Sequence, residues 1–183
     1  MFNQSDILNE KDSKILREVS APVSFPMDKK DIKLIKNMIE YLRLSQDEDY
    51  AQKNHIRAGM GLAAVQLGVK KRFFVISYKM EDGTFEEYEV INPTILSSSE
   101  EKVYIEDGEG CLSVTKDIEG IIPRAARITI EYYDTKGNKQ TSRVREEIAV
   151  AFQHEIDHLD GIIYIDRIDK KDPFKDQEKY RAI

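Results

Sequence analysis

The chain has 183 residues, of which 40% are hydrophobic and 34% charged, and its formal net charge is −6. This balance predicts one globular domain over residues 1–183 and excludes an intrinsically disordered chain. No apolar run approaches the ~20 residues that span a bilayer, and the N-terminal residues lack a signal-peptide pattern. A cytoplasmic protein with no membrane partner is therefore expected. The acidic net charge argues against specific nucleic-acid binding.

The first predicted elements are a long helix followed by strands. Apolar residues recur at helical spacing over 28–50, which predicts an amphipathic helix. Segments rich in β-branched and aromatic residues then predict five strands, at Arg72–Tyr78, Tyr88–Ile91, Lys102–Ile105, Ile128–Asp134 and Lys139–Arg145. Lys136-Gly137-Asn138 predicts a hairpin turn between the last two.

The C-terminal third carries a second helix. The run Glu146–Phe152 begins with acids, and Ile148, Phe152 and Leu159 recur at helical spacing, which predicts a helix that ends before Gly161. Ile162–Ile165 predicts a short strand, and the charged tail 167–183 is expected to be solvated and partly ordered. This order predicts an α+β fold, with antiparallel or mixed strands surrounding a central helix.

A run of small residues forms the segment Gly59–Gln66. Its two glycines and two alanines leave little side-chain bulk, which suits close approach of another backbone or of a bound extended peptide. Gln66 ends the run with an amide donor. Alone, this pattern would favour a tight turn with an exposed glutamine.

The single cysteine, Cys111, lies in the glycine-rich segment Gly108–Ser113. A lone cysteine excludes an internal disulfide, and the glycines allow the backbone to approach a metal closely. By itself, such a cysteine is more often a buried, inert thiol.

The second helix contains the most informative motif, because His154 and His158 are four positions apart and Glu155 follows the first. On a helix, both imidazoles reach one metal ion while the glutamate projects beside it. A catalytic zinc-type site needs three protein ligands and an open position, so Cys111 becomes the candidate for the third ligand. The alternative is a pair of ordinary histidines next to acids.

Together, three segments resemble the motifs of the peptide deformylases in the same order: Gly59–Gln66, Glu109–Ser113 and Gln153–His158. Val65 stands where many bacterial members carry proline, a variation within the usual motif. The stretch Ser45–Arg57 is similar to the insertion of the longer bacterial subclass.

The resemblance implies a metal-dependent hydrolase that removes the N-formyl group from the formylmethionine of newly made polypeptides and releases formate. Cys111, His154 and His158 would bind one divalent metal ion that activates a water molecule. The family implies Fe²⁺, and the ligand types also suit Zn²⁺, Ni²⁺ and Co²⁺.

The resemblance also implies three catalytic residues. Glu155 would accept the proton of the water and return it to the departing amine. The Gln66 amide and the backbone N–H of Leu112 would stabilise the charge on the formyl oxygen.

The implied partner is an N-formylmethionyl nascent peptide, bound as an added strand with its methionine in an apolar pocket. The expected substrate-binding residues are Met60, Gly61, Leu62, Glu109, Gly110, Val150 and Ala151. Glu109 is further expected to pair with Arg124, although a solvated arginine is equally compatible with the sequence. A local basic patch would be compatible with a transient ribosome contact.

Two other functions share parts of this pattern. Metallopeptidases also carry two histidines on a helix, but their third ligand usually lies downstream, whereas Cys111 lies upstream. A non-catalytic binder with a structural metal would usually have four protein ligands, and the sequence offers three good ones.

Overall fold

The computed structural model describes residues 2–11, 14–116 and 118–183. Helices α1, α2 and α3 cover Lys29–Ser45, Glu48–Asn54 and Glu146–Leu159. Strands β1 to β8 cover Gly61–Ala63, Phe73–Lys79, Phe85–Ser98, Lys102–Tyr104, Arg124–Ala125, Arg127–Tyr133, Lys139–Arg145 and Arg181–Ala182.

The strands form two sheets around α3. Five strands build an antiparallel sheet in the order β1-β2-β3-β6-β7. In the smaller sheet, β4 pairs antiparallel with β5 and parallel with β8. Helix α3 contacts strands of both sheets, which confirms the predicted α+β fold with a central helix.

Strand β2 of the large sheet is buried on both faces. Phe74 and Ile76 of β2 pack in the core cluster that contains Phe152 of α3. Phe73 and Val75, which alternate with them, pack on the opposite face in the cluster that contains α1. Because both faces are covered, β2 is continuously apolar, and α3 is fixed against the sheet by aromatic contacts.

The predicted helix over 28–50 is interrupted near its end, because α1 ends at Ser45 and a second helix, α2, starts at Glu48. Between them, the carboxylate of Asp47 accepts a 2.8 Å hydrogen bond from the backbone N–H of Tyr50 and caps α2. An aspartate that caps a new helix breaks the old one, since it satisfies backbone donors at the new start.

Most predicted strands agree with the structure to within one residue at each end, and the β6–β7 hairpin is confirmed. Strand β3 is much longer than the predicted Tyr88–Ile91. Its register shifts between Ile91 and Thr94, where Asn92 adopts a φ of +51° next to Pro93. A bulge tolerates a proline within a strand, so the strand continues beyond the point where the sequence suggested an end.

The predicted strand Ile162–Ile165 is wrong. A single 3₁₀ turn covers Tyr164–Asp166, and the Asp166 carboxylate accepts a 3.0 Å hydrogen bond from the backbone of Ile163. Ile163 and Tyr164 are buried in the core. A short apolar run therefore reflected burial rather than strand pairing.

The end of the charged tail 167–183 pairs with the rest of the fold. Its last residues form β8 beside β4, and Glu146 of α3 forms two 2.9 Å hydrogen bonds with Arg181. Backbone pairing and this bidentate ion pair hold the end of the chain. No helix in the described parts of the chain is both long and apolar enough to cross a bilayer.

Candidate active site

Helix α3 carries both histidines on one face, as the sequence predicted. Glu146 and Glu147 lie in its first turn, where carboxylates stabilise the positive end of the helix dipole. The helix stops before Gly161, which has a φ of +75° that favours glycine. The rings of His154 and His158 lie with their centroids 5.0 Å apart.

Cys111 completes a buried cluster with these two histidines. Its Sγ lies 3.2 Å from Nε2 of His158, and the three potential ligand atoms lie within 4.8 Å of one another. The loop that carries Cys111 connects β4 to β5, so the small sheet holds it against α3. One sulfur and two nitrogen donors at this spacing could hold one divalent metal ion.

The orientation of the two imidazoles also fits a metal ion. Nδ1 of His154 lies 2.8 Å from a carboxylate oxygen of Glu109, which leaves Nε2 of His154 for another partner. Nδ1 of His158 is buried without a hydrogen-bond partner among the described residues, and its Nε2 faces Cys111. In metal sites, the histidine nitrogen that does not bind the metal usually donates a hydrogen bond to a carboxylate, which fixes the tautomer, and Glu109 could do this for His154.

A buried ion-pair network supports Glu109. Arg124 donates hydrogen bonds of 2.8 Å to Glu109 and 2.9 Å to Asp157, and Arg167 also donates to Asp157. Burial raises the pKa of Glu109, but hydrogen bonds from Arg124 and His154 outweigh it and hold the pKa at about 2. The predicted Glu109–Arg124 pair is therefore confirmed, and Glu109 stays ionised as an acceptor for His154.

Glu155 lies in the wall of the same cavity as Cys111 and His154. It is 3% exposed, and its Oε2 has no hydrogen-bond partner among the described residues. A Cβ atom on Gly61 would lie 2.4 Å from Oε1 of Glu155, so a side chain at position 61 would displace the carboxylate. Burial raises the pKa of Glu155 to about 7, against the lowering effect of the His154 and Arg124 charges.

Gln66 is buried and held from both ends of its amide. Its Oε1 accepts a 2.8 Å hydrogen bond from the backbone of Ala63, which fixes the orientation of the group. Its Nε2 donates to Ser113 Oγ at 3.0 Å and lies 3.7 Å from Cys111 Sγ. The interpretation of Gln66 as an exposed turn residue is therefore wrong. Its amide donor faces Cys111.

The cluster opens into a cavity of about 340 Å³. Its walls include six of the seven predicted substrate-binding residues, which are Met60, Gly61, Glu109, Gly110, Val150 and Ala151. The exception is Leu62, whose side chain packs in the core cluster that contains α1. Successive side chains of a strand point to opposite faces, so Gly61 faces Glu155 while Leu62 faces away from the cavity.

Comparisons with known proteins agree with this geometry. The model of the polypeptide deformylase family matches residues 5–174. The chain belongs to this family. A peptide deformylase of Shouchella clausii is 44% identical over 176 residues, which are 96% of each chain.

Two solved peptide deformylases show the same fold. The enzyme of Thermotoga maritima has a TM-score of 0.71 at 36% identity, and the match covers 89% of this chain and 96% of that one. A class I type b peptide deformylase of Acinetobacter baumannii, solved with Met-Ala-Ser bound, has a TM-score of 0.69 at 26% identity, and the match covers 88% and 96%.

The sequence did not indicate four residues that line the cavity of this deformylase, which are Arg57, Ala58, Ile105 and Glu147. Only Glu147 among them had a local signal, since it lies three positions before Val150 and therefore on the same face of the predicted helix. The fold brings the other three to the site. Ser113, which ends the motif Glu109–Ser113, orients Gln66.

We expect Arg124→Gln to destabilise this deformylase strongly. Arg124 is 4% exposed, and its loss would leave the buried carboxylates of Glu109 and Asp157 without their shared partner. Breaking such a buried network costs about 3–5 kcal/mol, which urea unfolding would measure.

Arg127→Gln is the matched control, because Arg127 lies three residues further along the chain and its side chain is 52% exposed. Its surface ion pair with Glu101 is screened by water, so its loss should change the stability far less than the loss of Arg124. Equal losses of stability in the two variants would contradict the importance of the buried network.

Proposed function

We propose that this chain is a metal-dependent peptide deformylase that removes the N-formyl group from formylmethionyl peptides and releases formate. The proposal rests on the convergence of Cys111, His154 and His158, of which Cys111 and His154 line one cavity together with Glu155. Membership of the family supports the reaction. These nascent substrates imply a protein that works in the cytoplasm, and a transient ribosome contact remains a prediction.

Cys111, His154 and His158 would hold one divalent metal ion through Sγ and the two Nε2 atoms. A bound ion supplies Lewis acidity, which polarises oxygen atoms and favours the loss of a proton from water. The ligand types suit Fe²⁺, Zn²⁺, Ni²⁺ and Co²⁺, and family resemblance favours Fe²⁺. Elemental analysis of anaerobically purified protein, paired with activity, would identify the working ion.

Glu155 would move the proton. Its Oε2 is an acceptor without a partner among the described residues, so it can take a proton from the attacking water. The same oxygen would return the proton to the amine nitrogen when the bond to the formyl carbon breaks. The products are then formate and a peptide with a free N-terminus.

Gln66 and the backbone N–H of Leu112 would stabilise the negative charge that develops on the formyl oxygen. Ser113 already accepts one N–H of the Gln66 amide at 3.0 Å, while the contact of that amide with Cys111 is 3.7 Å long. The N–H that faces Cys111 is therefore the donor available to substrate. Because Ala63 holds the other end of the amide, little reorganisation would be needed.

The peptide would bind as an extended strand, with main-chain contacts to Met60, Gly61 and Gly110 and with its methionine against Val150 and Ala151. The bound Met-Ala-Ser of the Acinetobacter baumannii relative supports a peptide that begins with methionine. Leu62 would contribute through its backbone alone, because its side chain lies in the core.

Formyl-Met-Ala-Ser, acetyl-Met-Ala-Ser and an unformylated peptide with internal bonds would test the function. We expect equal amounts of formate and free amine from the first peptide only. Cleavage of the internal bonds would favour a metallopeptidase, and binding of the formylated peptide without formate release would favour a binding protein.

We expect Gln66→Leu to lower kcat and kcat/KM together by ~100-fold or more, because its amide would act on charge that develops during the reaction. Metal content should not change, since Gln66 is not a proposed ligand. An increase in KM alone would show that Gln66 only holds substrate.

A further inference from the structure

Among the described residues of the cavity wall, Glu147 is charged but is neither paired nor assigned to the reaction. Arg57 donates a 3.2 Å hydrogen bond to the carbonyl of Cys111, and Glu109 is paired with buried cations. Glu155 is the proposed base. Glu147 also lines the cavity, but its carboxylate has no hydrogen bond or ion pair among the described residues.

Glu147 lies at the far end of the cavity from the chemistry. It precedes Val150, Ala151 and His154 by three, four and seven positions on α3, so all four share one face of the helix. With a rise of 1.5 Å per residue, Glu147 is about 10 Å along the helix from His154. Apolar Val150 and Ala151 separate the two, and they are 5% and 9% exposed.

A peptide that fills this cavity would remove water from the Glu147 carboxylate. An acidic group that loses water without gaining a partner weakens binding, whereas a cation nearby replaces the lost interactions. Methionine would cover the apolar wall formed by Val150 and Ala151. An extended chain advances about 3.3 Å per residue, so long basic side chains from the next two residues can reach the end of the cavity at Glu147.

We propose that Glu147 is a specificity-determining residue that favours formylmethionyl peptides with lysine or arginine at one of the two positions after methionine. This inference rests on the proposed deformylase function. The unpaired carboxylate of Glu147 at this end of the cavity would attract a basic side chain and repel an acidic one.

The test compares kcat/KM for formyl-Met-Lys-Ala and formyl-Met-Ala-Lys with the two peptides that carry glutamate instead of lysine. Formyl-Met-Ala-Ser is the neutral reference. We expect about a threefold to fivefold preference for a lysine peptide over its glutamate counterpart at low salt, as for a partly exposed ion pair. The preference should shrink at high salt.

Glu147→Gln should bring this ratio close to one, and Glu147→Lys should invert it. Glu178→Gln is the matched control, because it removes the same charge from an exposed residue outside the cavity walls and should keep the wild-type ratio. Equal ratios in wild type and Glu147→Gln would overturn the assignment of Glu147 while the neutral peptide still releases formate. Failure of the wild-type protein to release formate from the neutral peptide would overturn the deformylase function itself.

Discussion

Glu155→Gln should retain the metal and lose turnover by ~10³-fold or more, because glutamine preserves the shape of the side chain but cannot accept a proton. Its size matters here, since Gly61 leaves no spare room around Oε1 of Glu155. A buried amide in place of a buried carboxylate should also fold, as the Glu155 carboxylate has no ion pair among the described residues. Formate release and elemental analysis on the same sample would measure both effects.

Asp160→Asn is the control for this variant. Asp160 follows the last residue of the same helix and forms an exposed ion pair with Arg72. The substitution therefore removes a nearby carboxylate that does not line the cavity. It should keep near-normal turnover. If Glu155→Gln kept full metal and near-normal activity, Glu155 could not be the base.

Cys111→Ser should weaken metal retention by more than ~100-fold and reduce activity in proportion, because a hydroxyl is usually protonated and is a poor ligand for these ions. Cys111 is buried with its Sγ 3.2 Å from Nε2 of His158, so the substitution acts directly on the proposed ligand cluster. Equilibrium dialysis against a chelator would compare metal affinity in the variant and the wild type. Ser113→Ala is the control, since Ser113 contacts Gln66 rather than the histidines.

Because the chain has a single cysteine, its thiol chemistry reports on Cys111 alone. A coordinated thiolate should react slowly with alkylating reagents until the metal is removed. Equal reaction rates with and without metal would show that Cys111 is not a ligand.

The sequence by itself determined the parts of the fold that depend on neighbouring residues. Helix α3, the histidine spacing on it and the β6–β7 hairpin follow from local periodicity and turn chemistry. The role proposed for Gly61 also has a local signal, because a run of small residues marks a close approach of backbone to another group. The resemblance of three short motifs then linked these local features to one family.

Only the tertiary structure decided which distant residues meet. Cys111 and His158 are 47 positions apart in the chain, and β4 and β5 bring them within 3.2 Å. The contact of Arg124 with Asp157 and the position of Leu62 in the core depend on how the two sheets pack around α3.

The same reason explains the error at Ile162–Ile165 and the pairing of the end of the tail. Local apolar content and local charge indicate only average burial and exposure. The Asp166 carboxylate instead accepts a hydrogen bond that stabilises a turn, and Arg181 forms an ion pair with Glu146, which is distant in the sequence. Strand pairing and ion pairing between distant segments are set by the packed structure, because each needs a partner that the local sequence does not contain.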